Sequence, residues 1–413
     1  MHKLAIQQPF FRVILILLIT VLVLPISSSV TAQDSVTVLD ESVEFTFGEK
    51  ISFQLSYDSD TPVEGITLVI QAPGLPSFVG EVSQTAEGEG VFVYLLSDRP
   101  LPAFSSISYS YQFTLSSGEL IASPTYHFTY LDNRFNWQEL IGEPFRIYWY
   151  EGEIMLAQDV LDAALAGQTK TLDLLQQPPG LEPIVIFIYA SEEDLQTTLS
   201  YIGQNWVSGY ADAARGSIVV ALPHAVDQPL EIQRLIPHEV AHILLYRYMG
   251  AEFDYLPAWL NEGIASQMEL YSLSEYDLVL ERAYDERELI PLTHLCEVFP
   301  QEGDLAFLAY AQADALVKYI QDKYGLPGLQ SMIHAYDQGV SCERGVEMSL
   351  GITLRDLEQD WLLERFNRVT LMILIYILVA ILIALMIGLG TFIYLRTRKE
   401  PGQEEWDENE LYT

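Results

Sequence analysis

LIPHEVAHILL, residues 235–245, sets His238, Glu239 and His242 into an otherwise apolar run. Residues four apart on an α-helix are separated by about 400° of rotation and roughly 6 Å of rise, so the two histidines share a face. Two readings are open from these residues alone. One is a core helix whose imidazoles are satisfied by ordinary hydrogen bonds. The other is a helix offering two nitrogen ligands to one zinc ion, with Glu239 one step round it, placed to reach a metal-activated water and not the ion. Pro237 removes a backbone donor and crowds the preceding turn, so the helix is expected to begin or kink there.

Catalytic zinc takes three protein ligands, and the sequence downstream offers the third. LPAWLNEGIASQ, residues 256–267, carries Glu262. The separation from His242 lets the first helix finish, turn at Gly250 and return as an antiparallel second helix. Trp259, Leu260, Ile264 and Ala265 would bury that helix against the first. A glutamate pointing the same way is costly unless it is paired or metal-bound. The alternative for Glu262 is a surface carboxylate near a helix N-terminus.

HEVAH followed by WLNEG resembles the gluzincin zinc peptidases, and residues 145–363 resemble their peptidase-MA-like branch. The resemblance implies that His238, His242 and Glu262 hold zinc and that Glu239 is the general base. Trp259 and Asn261 match the flanking motif without an assigned catalytic role. It also implies a strand-rich subdomain whose edge strand lies along a peptide substrate, with GYADAARGSIVVAL (209–222) in that place. The Gly-x-Met-Glu-Asn segment with which M1 aminopeptidases capture a free amine is absent from the sequence, so an endopeptidase is expected. A further donor to the oxyanion is expected from a downstream helix, with Tyr310 the first candidate and His334 the second. For both, an ordinary packing residue is the alternative. His224 and His294 read as loop residues, and His127 as a partly buried strand residue.

The N-terminal part has a different texture. Between residues 35 and 130, short alternating runs such as KISFQLSYD and SISYSYQFTL are separated by turn signals such as APGLPS. They predict an immunoglobulin-like β-sandwich over 33–134. After a boundary in DNRFNWQELIGEP, strands at FRIYWYEGE and EPIVIFIYA precede helices over 154–175 and 192–199. NWVSGYADA and GSIVVALP read as a hairpin, and nearly everything from Leu230 on reads as helix. Ser191 with Asp194, and Thr353 with Asp356, have the spacing of N-terminal caps. The expected architecture is α+β: a sandwich, then a metallopeptidase-like domain over 135–366 with a small sheet and a helical half.

Both ends carry apolar runs. Lys3 and Arg12, the run Val13–Leu24 and the small residues Val30 and Ala32 fit a secretory signal peptide over 1–32, an uncleaved anchor being the alternative. The uncharged run at 369–395 is long enough to cross a bilayer, and the expectation is one transmembrane helix over 367–395 with a short tail over 396–413. Arg396, Arg398 and Lys399 favour a cytoplasmic tail and an outer ectodomain on a cell membrane. A formal charge of −36 disfavours nucleic-acid partners, since little is left to neutralise phosphates. None of the asparagines sits in an Asn-x-Ser/Thr context, which favours a prokaryotic surface. Cys296 and Cys342, the only cysteines, suit either one disulfide or two buried thiols. The expected function is a membrane-anchored extracytoplasmic zinc metallopeptidase acting on peptides or proteins. A non-enzymatic surface module on a metallopeptidase scaffold is the competing class.

Overall fold

In the computed structural model, residues 36–176, 180, 182–201, 209–297, 299–300, 303–366 and 368–397 are described. The signal-peptide expectation, nearly all of the tail, and the Asn205–Ser208 part of the expected hairpin lie outside them.

The first nine strands are β1 (Val36–Thr46), β2 (Lys50–Ser59), β3 (Val63–Gln71), β4 (Phe78–Glu81), β5 (Ser83–Ala86), β6 (Glu89–Leu95), β7 (Ser105–Leu115), β8 (Leu120–Ala122) and β9 (Tyr126–Tyr130). They form two antiparallel sheets, β1-β2-β6-β5 and β4-β3-β7-β8, with β9 also on β7. Period-two alternation sends Ile51, Phe53 and Leu55 of β2 inward. They meet Ile66, Leu68 and Ile70 of β3 and Ile107, Tyr111 and Phe113 of β7 in one core. His127, expected partly buried, is exposed on β9.

A five-stranded sheet follows, in the order β10-β11-β12-β14-β13, built from β10 (Gln138–Gly142), β11 (Phe145–Trp149), β12 (Ile184–Tyr189), β13 (Gly209–Asp212) and β14 (Ser217–Ala221). β11, β12 and β14 are parallel, while β10 and β13 run antiparallel at the two edges. IVIFIY and SIVVA are buried at every position but Val185 because both faces of these strands are covered. α1 (Ile154–Leu175) and α3 (Gln228–Met249) cover one face. The other face receives α2 (Glu192–Tyr201), whose Ser191–Asp194 cap is made: the Asp194 N–H donates to Ser191 Oγ at 3.1 Å. That face also carries an aromatic layer, in which Phe104 of the N-terminal sheets packs on Phe187 at 4.1 Å between ring centres.

β10 lies inside the stretch read as a boundary, which is therefore structured. Asp132, fully buried there, accepts hydrogen bonds from Arg134, Tyr189 and Thr198.

The helical half continues with α4 (Ala258–Met268), α5 (Glu275–Glu286), α6 (Gly303–Tyr336), α7 (Cys342–Leu350) and α8 (Leu354–Phe366). α6 is two helical runs joined at Gly325, whose φ of 70° breaks the helix. Thr353 caps α8 through the Asp356 N–H at 3.1 Å. Cys296 and Cys342 form a disulfide, which settles the choice left open by their spacing. α9 (Arg368–Thr397) is apolar along Met372–Thr397 and long enough to cross a membrane.

Candidate metal centre

α3 does not begin at Pro237, the first of the two expectations there. The helix starts at Gln228 and runs through the proline. Proline has no N–H to give to the carbonyl four residues back, which leaves the Gln233 oxygen without its helical partner. That oxygen accepts from the backbone N–H of Leu270 at 2.9 Å. The residue that breaks the hydrogen-bond ladder of α3 thus creates the acceptor that docks the chain just beyond α4. Glu269, next to Leu270, is held against α3 by the same bond.

The two helices are joined by a short 3-10 segment, Gly250–Tyr255, with Gly250 at φ 61°. His238 pairs with Glu269, and His242 with Asn261. The order of these pairs shows that α3 and α4 run antiparallel. Gly263, next to Glu262, lets α6 approach: a Cβ there would lie 2.4 Å from the Ala313 carbonyl oxygen. The close crossing brings Tyr310 of α6 to the site, its ring 6.0 Å from that of His238.

Glu262 Oε2 lies 3.3 Å from His238 Nε2 and 3.5 Å from His242 Nε2. The ligand atoms of these three residues all lie within 4.8 Å of one another. Donors roughly 2.0–2.1 Å from a tetrahedral zinc ion are separated from each other by about 3.4 Å. The two edges that meet at Glu262 are therefore the length that zinc would need. The outer nitrogens are engaged as well. His238 Nδ1 meets Glu269 Oε1 at 3.0 Å, and His242 Nδ1 meets Asn261 Oδ1 at 3.0 Å. Such bonds take up the Nδ1 proton of each ring, so a cation replacing the Nε2 protons opposite Glu262 would find the arrangement a metal-binding imidazole requires.

The electrostatics ask for positive charge. Burial opposes a charged His238, but hydrogen bonds to Glu262 and Glu269 outweigh it and push the imidazole up to about 10. His242 is raised despite burial, by Glu262. Burial would raise Glu262, yet the two histidines hold it well below the usual carboxylate range. Glu239 moves the other way, raised by burial and only partly restrained by the histidines. Three carboxylates and two imidazoles converge here, so the donor set suits a cation.

Glu239 reaches a cleft of about 590 Å³ that also exposes His238, His242, Glu262 and Tyr310. The floor on one side is β13. A Cβ at Gly209 would stand 2.8 Å from Glu239 Oε1, so glycine leaves the room this carboxylate occupies. Tyr310 is held protonated by burial, with Glu262 and Glu239 adding to the effect. His334, the second candidate, is exposed and does not border the cleft; His224 and His294 are exposed too. Glu269 has no counterpart among the expected site residues. A carboxylate seven positions after Glu262 is not marked by helical spacing, since α4 ends at Met268.

Residues 169–365 match the Peptidase MA superfamily. No protein of curated function matches the chain in sequence. Among solved structures, a carbohydrate-binding module family 56 β-1,3-glucan binding domain is 12% identical, over 23% of this chain and 98% of that one, with a TM-score of 0.17. OgpA from Akkermansia muciniphila is 22% identical, over 23% of this chain and 27% of its own, with a TM-score of 0.18.

Proposed function

We propose that the protein is a membrane-anchored zinc metallopeptidase that cuts peptide bonds within polypeptides outside the cytoplasm. One observation carries this reading: the triangle of His238, His242 and Glu262, with each histidine's outer nitrogen fixed by Glu269 or Asn261. The superfamily match and the cleft over Glu239 support it. Residues 135–366 form the peptidase unit in this reading. Residues 33–134 form an immunoglobulin-like module, supported by strand orders that correspond to the two sheets of that fold.

His238, His242 and Glu262 would hold the ion. Zinc, when bound, supplies Lewis-acid activation of water and of the substrate carbonyl. Glu239 accepts the proton of the attacking water and passes it to the leaving nitrogen. Its raised proton affinity suits a base that must also act as an acid near neutral pH. Tyr310 keeps its O–H and can donate it to the oxyanion. Glu269 and Asn261 hold the imidazoles in the tautomer that binds metal.

The test uses the full chain in detergent micelles, its zinc content, and cleavage of a broad peptide mixture. Wild type and Glu239→Gln are both expected to carry one zinc per chain, with turnover in the variant lower by about 10²–10⁴-fold. A folded wild type without metal, or equal cleavage by the variant, would overturn the reading. Bound zinc with no turnover in wild type would point to the non-enzymatic module.

A further inference from the structure

Arg234, His238 and His242 are spaced by four and so share one face of α3. The guanidinium stands one helical turn before His238, near Glu269, and borders the same cleft. Among the described residues that line the cleft it is the single arginine or lysine, in a chain with 57 acidic and 21 basic residues. Its Nη2 donates to Glu231, one turn earlier on the helix. Burial opposes the charge of Arg234, but this bond outweighs it and holds the guanidinium charged. The Glu231 side chain is 36% exposed and that of Arg234 21%, so the glutamate keeps more of its hydration than the arginine does. The buried Nε–H of Arg234 has no partner among the described residues. A guanidinium can serve carboxylates through several donors at once, and Glu231 engages only Nη2.

The other carboxylates near this end of the cleft are committed elsewhere: Glu262 to both histidines, and Glu269 to His238. Tyr276 adds a neutral donor. Its ring borders the cleft and packs on Phe307 at 5.1 Å between ring centres. Burial keeps its hydroxyl protonated, Glu269 adding to the effect and Arg234 opposing it. We infer that Arg234 is a specificity-determining residue that receives a carboxylate of the substrate, one or two residues from the cleaved bond. The inference rests on the peptidase reading above. The distance follows from the helix, since four residues rise about 6 Å and an extended polypeptide covers that length in about two residues. The carboxylate is that of an aspartate or glutamate side chain, or of the substrate's own C-terminus; both present the same pair of oxygens to the guanidinium. Glu231, partly solvated, competes with it for Nη2 and so limits the selectivity.

The experiment again uses the full chain in detergent, with zinc content as the check that each variant is folded. In one arm, a peptide that wild type cleaves carries aspartate or asparagine, in turn, at the two positions on either side of the cleaved bond. In the other, peptides cleaved near their end carry a C-terminal acid or amide. The acidic member of a pair is expected to give a kcat/KM about tenfold higher, in the first arm for a side chain and in the second for a chain terminus. Arg234→Gln should bring that ratio to about one. Glu231→Gln removes the competing carboxylate and should raise the ratio, the opposite sign to the arginine variant, and it serves as the test should Arg234→Gln not fold. No gain in either arm, a gain that persists in a folded Arg234→Gln, or a ratio that does not rise in Glu231→Gln overturns the assignment while the peptidase reading stands. If wild type cleaves no peptide at all, the peptidase reading itself fails, and the subsite with it.

Discussion

Asp314 shows how a single side chain records the tight packing behind the candidate metal centre. It sits on α6 and accepts from Gln267 Nε2 of α4 at 2.6 Å, where burial pushes its carboxyl up to about 6 from an ordinary 3.8. The unfolded chain gives up this proton near 4, the folded chain near 6. Between those values the native state binds more protons, so stability falls as pH rises. The cost is absent below about pH 4 and fully present above about pH 6, on the order of 3 kcal/mol for a shift of this size. Asp314→Asn keeps an acceptor for Gln267 and removes the charge. Thermal melts of the full chain should show the variant more stable at about pH 8 and level with wild type near pH 4; an equal gain at both would refute this origin.

Among the elements, the α3–α4 pair shows what the sequence could and could not reveal. The placing of His238, His242 and Glu262 on two antiparallel helices was legible because it follows from helical periodicity, chain length and one glycine turn. The strand and helix order from Phe145 onward was legible for the same reason, since hydrophobic period reports local structure. Glu269 was not, because it reaches His238 through a backbone bond between Gln233 and Leu270, a long-range contact with no periodicity. A helix start at Pro237, one of the two expectations there, failed for a related reason. The proline's penalty is local, but its consequence lies in a partner segment more than thirty residues away. Pro237→Ala should therefore act with opposite signs on two observables. Restoring the N–H favours α3 by up to about 3 kcal/mol in intrinsic propensity, so the metal-free melting point holds or rises. The Gln233 carbonyl is then shared, Glu269 loosens, and zinc affinity measured by chelator competition falls about tenfold. Unchanged affinity would show that the proline does not position Glu269.

At the scale of the whole molecule, the folded part and the apolar helix α9 are coupled by very little chain. The end of α8 is clamped to α5, with Phe366 stacked on Tyr284 at 3.9 Å between ring centres and Arg365 bonded to Asp277 at 2.6 Å. α9 starts at Arg368, so the end of α8 is tethered close to whatever bilayer α9 would enter. Which side of that bilayer it faces bears on the Cys296–Cys342 bond. This bond closes a loop with a sequence separation of 46. Such a crosslink stabilises a fold by about 4 kcal/mol through lost chain entropy, and it persists only where the compartment is oxidising. The proposed topology places it there. Protein taken from cells, unfolded without reductant, should react with no maleimide, then with two after reduction, and the reduced full chain should melt well below the oxidised one. Two reactive thiols before reduction would place the peptidase unit on the reducing side of the membrane, against the orientation that the basic residue Arg396 at the end of α9 favours.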